Sequence, residues 1–172
     1  AETGQITTNI PARLGRLDRL IAKHAVEAED GGRSRAEAAF ERALELNPSA
    51  VHVNYHLARA LILQGRLAEA EKTVDLLAMQ SPNTQFVFLG RFWLHLYSSR
   101  PREAIIFLEK APYQTDTLWA WRSMTLAQAG DLDGAFAALE AALAKGYRDV
   151  DQLRGDPMME PLRGTKEHVG PL

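Results

Sequence analysis

Apolar residues along this chain recur at helical spacing, and they do so in a repeating block. Ala36, Phe40 and Ala43 are followed by Pro48; Ala70, Val74 and Leu77 by Pro82; Ala104, Leu108 and Ala111 by Pro112. The alanines that open these blocks lie 34 residues apart, and a fourth block, Ala135, Leu139 and Ala142, follows after 31. Gly31 and Gly65 keep the 34-residue interval, and Gly130 fits it once the shortened step is counted. Steps of four and three place each trio on one helix face. A short helix pair cannot bury such a face alone, so a fixed interval of this size predicts helical hairpins stacked in series.

Punctuation between the blocks supplies the element bounds. Pro11 suits a first helical turn, and Leu14, Leu17, Ile21 and Ala25 continue a helical pattern that stops at Gly31-Gly32. Ser34 reads as an N-cap with Glu37 as its capping-box partner, and that helix runs to Leu46, where Asn47-Pro48 ends it. The second hairpin carries Val53, Leu57, Ala60 and Leu61, turns at Gln64-Gly65, and returns from Leu67 to Met79 before Ser81-Pro82. The third begins near Gln85, turns between Ser98 and Pro101 and closes at Ala111-Pro112. The fourth starts after Asp116, turns at Gly130-Asp131 and ends at Lys145-Gly146. The expected organisation is a loose lead-in over 1–10, a repeat array over 11–146 (repeats of about 17–50, 51–84, 85–115 and 116–146) and a capping tail over 147–172. Ala36, Ala43, Ala70, Ala104, Ala135 and Ala142 are expected where paired helices cross, since a small side chain lets the axes approach. Alternating Val/Thr-rich runs are scarce, which argues against a sheet.

The Ala-x3-Phe spacing and its following proline resemble the second helix of the tetratricopeptide repeat. First-helix landmarks of that family (Trp-x2-Leu-Gly-x2-Tyr) appear in weakened form as Asn54-x2-Leu57-Ala58-x2-Leu61 and Trp119-x2-Arg122-Ser123-x2-Leu126. Phe86-x2-Leu89-Gly90-x2-Trp93 matches best but begins two residues early, which implies a longer turn before Ala104. The tail, with Asp156-Pro157 at a helix start and Pro161-Leu162-Arg163 at its finish, is similar to a segment that ends many bacterial arrays of this kind. Its Val150, Leu153, Met158, Met159 and Leu162 would cover the last hairpin.

The resemblance implies an all-α, right-handed superhelix of about four hairpins that works as a protein-interaction scaffold or adaptor. In this family the first helices line a concave groove, which implies that Tyr55, His56, Arg59, Trp93, Tyr97, Trp121 and Met124, with His52 beside them, face a partner peptide or helix. Members that grip a C-terminal carboxylate use Lys, Asn and Arg on successive first helices. The corresponding places here hold Ile21, Ala25, His56 and Phe86, so that clamp is missing.

Composition narrows the classes further. In 172 residues, 46% hydrophobic content suits a packed domain rather than a disordered chain. A net charge of −2 with both signs interspersed offers no basic stripe, so nucleic acid is not the expected partner. With no cysteine there is neither a thiolate metal site nor a cysteine nucleophile. His52 and His56 sit four apart on one helical face, but no third ligand is near in sequence, and they read as surface or groove histidines rather than a metal site. No nucleophile with a base and an orienting partner emerges, so no catalysis and no cofactor are expected. No apolar run approaches the ~20 residues that span a bilayer.

The segment FVFLGRFWLHLY is apolar on every side, so it is buried all round or leaves a face for a partner or for a second copy of the chain. The rival reading is a regulatory or dimerisation domain of a larger enzyme or sensor. The chain begins at Ala1 rather than Met, which fits removal of a leader, and so export, or of a preceding domain. The Ala/Leu/Arg-rich usage suggests a bacterial source, cytoplasmic or periplasmic.

Overall fold

A computed structural model of the chain describes residues 28–29 and 33–163. Ala28–Glu29 (β1) pairs antiparallel with Arg33–Ser34 (β2), Ala28 opposite Ser34 and Glu29 opposite Arg33. This rung departs from the helix expected up to Gly31-Gly32. The sequence between the paired residues is Asp30-Gly31-Gly32, whose glycines favour a tight reversal. The rest of that expected helix, from Pro11, lies outside the described residues.

All else of regular structure among the described residues is helical. The elements are α1 (Arg35–Leu46), α2 (Val51–Leu63), α3 (Leu67–Gln80), α4 (Gln85–Tyr97), α5 (Pro101–Lys110), α6 (Asp116–Gln128) and α7 (Leu132–Ala144). Three short pieces follow: α8 (Val150–Gly155), a 3-10 turn (Pro157–Met159) and α9 (Glu160–Arg163). Each of α2, α4 and α6 forms a hairpin with the helix after it. Each second helix also packs on the first helix that follows, α1 on α2, α3 on α4 and α5 on α6. This serial nesting makes the molecule an all-α helical-repeat solenoid.

One turn closes every hairpin. Gly65, Ser99 and Gly130 have φ of 74°, 57° and 82°, and Gly146 ends α7 at 103°. In each case the next residue's N–H reaches a carbonyl five residues back: Arg66 to Leu61, Arg100 to His95, Asp131 to Leu126 and Tyr147 to Ala142, at 2.9–3.0 Å. These bonds satisfy carbonyls that a helix end would leave bare, and the left-handed residue makes them possible. Ser99 therefore stands where glycine stands elsewhere, 34 residues after Gly65, and the α4–α5 turn is as short as its counterparts. The longer third turn expected from the sequence is corrected by this. Counted seven residues back from each left-handed position, Ala58, Phe92 and Ser123 are equivalent, not Gly90.

Small residues seat the crossings. Ala70, Ala104, Ala135 and Ala142 have no exposed surface, and any larger side chain would overpack them by ~1–3 kcal/mol. Ala43 is half-buried, and the Ala36 side chain lies outside the described ones. Gly90 serves a different contact: α4 approaches α3 so closely there that an added Cβ would sit 2.9 Å from Val74 Cγ2. In the fourth hairpin the buried Ser123 hydroxyl donates to the Ala135 carbonyl at 2.8 Å, tying α6 to α7.

Glu37, which the sequence marks as a capping-box residue, is almost fully buried in α1. Its carboxylate accepts from Arg66 Nη1 at 2.7 and 2.8 Å and from Gln64 Nε2, clamping α1 to the α2–α3 turn. The Ser34 side chain lies outside the described ones. At the other end, Asp156 Oδ1 accepts from the Met158 N–H at 2.8 Å, and Gln128 Nε2 donates to the Met158 carbonyl. Leu153, Met159 and Leu162 are buried, with the 3-10 turn against α6 and α9 against α7. The Val150 side chain is outside the described ones. No described helix is long and apolar enough to cross a membrane.

Candidate partner-binding face

Helices α2, α4 and α6 bring their aromatic residues together. Trp93 of α4 is the centre: its indole N–H donates to the Tyr55 hydroxyl at 3.2 Å, and its ring meets Trp121 of α6 edge-on at 4.8 Å. Phe92 lies 4.6 Å from Trp93 and stacks on Trp121 at 6.0 Å. Tyr55 also reaches Phe86 at 5.4 Å. Offset and edge-on pairs of this kind add ~0.5–1.5 kcal/mol each beyond buried area. The α4 and α6 backbones stand farther apart than those of α2 and α4, and these rings fill the difference.

That packing alters the expected groove. Tyr55, His56, Arg59, Trp93, Trp121 and Met124 are buried, and of the seven residues expected to face a partner only Tyr97 is exposed, at 37%. The sequence places these residues on first helices, as found, but their role as open lining does not follow. Large rings between three helices gain more from mutual burial than from water contact. The same holds for the all-round apolar α4, which is enclosed by α2, α3 and α5. Trp119 takes the other side of α6, half-buried, with Arg122 and Lys145 over its ring at 5.3 and 5.8 Å.

Arg59 is the unusual member. Its guanidinium carbon sits 3.6 Å from the Trp93 ring centroid and 5.4 Å from that of Tyr97. Its Nε and Nη1 are sealed from solvent and make no hydrogen bond. One turn earlier His56 stacks on Phe40 at 5.9 Å. Burial, then the neighbouring His52 and Arg59 charges, pushes its pKa down from 6.5 to about 4, so the imidazole is neutral at pH 7. His52 is exposed, and among the described residues no group of three or more His, Asp or Glu could hold a metal ion.

The Glu37–Arg66 clamp carries no local signal in the sequence, because its partners come from separate hairpins. The same is true of His95, which stacks on Phe107 of α5 at 4.9 Å and whose pKa burial and Arg100 lower. A shallow depression of about 410 Å3 at the α6–α7 turn, lined by Arg102, Leu126 and Asp131 among others, shares no residue with the aromatic cluster.

A family model described as tetratricopeptide repeat matches residues 28–86. No curated protein matches the chain. Repeats of this family generally mediate protein–protein interaction, and an all-helical array of them is typically a non-enzymatic module. The matched stretch covers α1, the α2–α3 hairpin and the first residues of α4, so this part of the chain is similar to tetratricopeptide repeats, and the same turns, small-residue crossings and serial packing continue to Gly146.

Proposed function

We propose that the face formed by α2, α4 and α6 holds a peptide or helix of a partner protein. One observation carries this reading. Tyr97 is the large apolar residue of the first helices that stands exposed among the described residues, and Arg59 lies directly beside it. The partner touches Tyr97 and Arg59, while Tyr55, His56, Trp93, Trp121 and Met124 form the rigid wall behind them. An aromatic with an adjacent arginine is a common anchor, offering large contact area at low entropic cost and a planar set of donors.

Pull-down from the native extract with the whole chain tests this, comparing wild type with Tyr97→Glu and with Met79→Glu on α3. Loss of the captured protein with Tyr97→Glu alone is expected. Equal capture by all three chains would remove this face from consideration.

A second reading, self-association as in a dimerisation domain, draws on the second helices, where Leu46 and Met79 are about four-fifths exposed. Sedimentation of wild type and Met79→Glu decides it. A dimer lost on substitution supports self-association, and a monomer at high micromolar concentration excludes it.

A further inference from the structure

We infer that Arg59 is the receptor for an acidic side chain, Asp or Glu, within the bound segment of the partner. This rests on the reading of the α2–α4–α6 face as the docking surface and adds the chemistry of what docks there.

Charge is segregated between the two rows of helices. Neither α2 (VHVNYHLARALIL) nor α4 (QFVFLGRFWLHLY) contains an Asp or Glu, and α6 has only Asp116 at its first position. The acids lie on the second helices: Glu37, Glu41 and Glu45 on α1, Glu69, Glu71 and Asp75 on α3, and Glu103 and Glu109 on α5. Two first-helix arginines are matched across that divide, Arg91 to Asp75 and Arg122 to Glu109. Arg59 is not. It is 7% exposed, forms no ion pair among the described residues, and keeps two nitrogens without an acceptor. The Arg59 charge is among the causes that hold the neighbouring His56 imidazole below its ordinary pKa.

A guanidinium in this position is expensive to keep. Desolvating a cation without a counter-charge is unfavourable, and the face of Trp93 compensates only in part. A carboxylate laid against the edge of the guanidinium supplies the missing acceptors in a planar, two-oxygen geometry that suits arginine. Those nitrogens are covered in the free protein, so the acid reaches them as the exposed Tyr97 ring on the flank moves aside. Charge complementarity therefore selects an acidic segment, and the aromatic rim selects one with apolar neighbours to the acid.

The test is a selection on the full chain from a display library of randomised dodecapeptides held between fixed Gly-Ser flanks, so that no terminal carboxylate is near. Selected peptides are then made with a C-terminal amide, in acid and amide (Glu→Gln, Asp→Asn) forms, plus an amide-side-chain form with a free C-terminus. Binding is measured by fluorescence anisotropy to wild type, Arg59→Met and Arg59→Lys. Wild type is expected to select peptides sharing one acidic position, with about tenfold or greater loss on the acid-to-amide change. Arg59→Met should bind both forms alike, and Arg59→Lys should recover only part of the preference.

Enriched peptides without an acidic position, or an undiminished preference in Arg59→Met, overturn the inference and leave the docking face standing. Full recovery by the free C-terminus overturns the side-chain assignment, and no enrichment at all overturns the docking face as well. Folding supplies a second readout. Methionine keeps the stem on Trp93 and removes an unpaired charge, so Arg59→Met should melt at or above wild type. A clear fall in Tm would make the guanidinium a structural element and overturn the inference.

Discussion

Gly90→Ala is expected to weaken the native chain yet strengthen it once Val74 is cut to alanine. Two effects oppose each other at this position. Alanine is favoured over glycine in a helix interior by ~1 kcal/mol, and Gly90 lies in the middle of α4. Against this, the added Cβ would meet Val74 Cγ2 at 2.9 Å and Cγ1 at 3.2 Å, and Val74 is fully buried with no room to step aside. Overpacking of this kind runs to ~1–3 kcal/mol, so the net effect is a loss of ~0–2 kcal/mol. Val74→Ala removes both methyls and leaves Val74 Cβ at 3.7 Å, an ordinary contact. That change alone forfeits ~1.6 kcal/mol of transfer energy, at ~0.8 per methylene. In that background Gly90→Ala should return ~1 kcal/mol. The coupling between the two positions is then ~1–3 kcal/mol, well outside the ~0.3–0.5 kcal/mol scatter of independent sites. Urea unfolding of the four chains, followed by helical circular dichroism, gives the midpoints, and unchanged m-values show that stability alone has moved. A Gly90→Ala shift of the same sign and size in both backgrounds would refute the reasoning.

Ser99→Gly should raise stability by ~1 kcal/mol, because serine at φ 57° bears a left-handed penalty that the glycines of the equivalent turns avoid; an unchanged urea midpoint would count against the shared-turn account. Acid should weaken the fold through His56. Its folded pKa of about 4 lies below the ordinary 6.5, so the unfolded chain takes up the proton first, and the stabilisation is whole above pH ~6.5 and falls as pH drops toward 4. The loss by about pH 5 is on the order of 2 kcal/mol. A His56→Gln chain that keeps the full decline between pH 7 and 5 would assign it elsewhere.

Helix positions were legible because they depend on local chemistry. Gly65 and Gly130, Pro48 and Pro82, and the alanine trios mark turns, stops and crossings by their own conformational limits, wherever they sit in the fold. The third repeat resisted the same treatment because Ser99 holds a glycine position. The best motif match, ending on Gly90 and Trp93, therefore lay two residues out of register with the hairpin. Glycine there answers to Val74 on another hairpin, a demand that no window of α4 contains. The candidate site was half legible: the first helices do gather Tyr55, Arg59, Trp93 and Trp121. That these residues pack against one another, leaving Tyr97 outside, depends on the wider spacing of α4 and α6.

The sequence by itself determined a series of alanine-seated helical hairpins and the repeat family they resemble, since the interval, the breakers and the small residues act within a few residues of one another. Only the tertiary structure decided which aromatics became core, which arginines found a carboxylate and which one did not. Burial and charge pairing are set by neighbours that arrive from other hairpins: Glu37 meets Arg66, Asp75 meets Arg91 and Glu109 meets Arg122, while the Arg59 guanidinium meets the ring of Trp93.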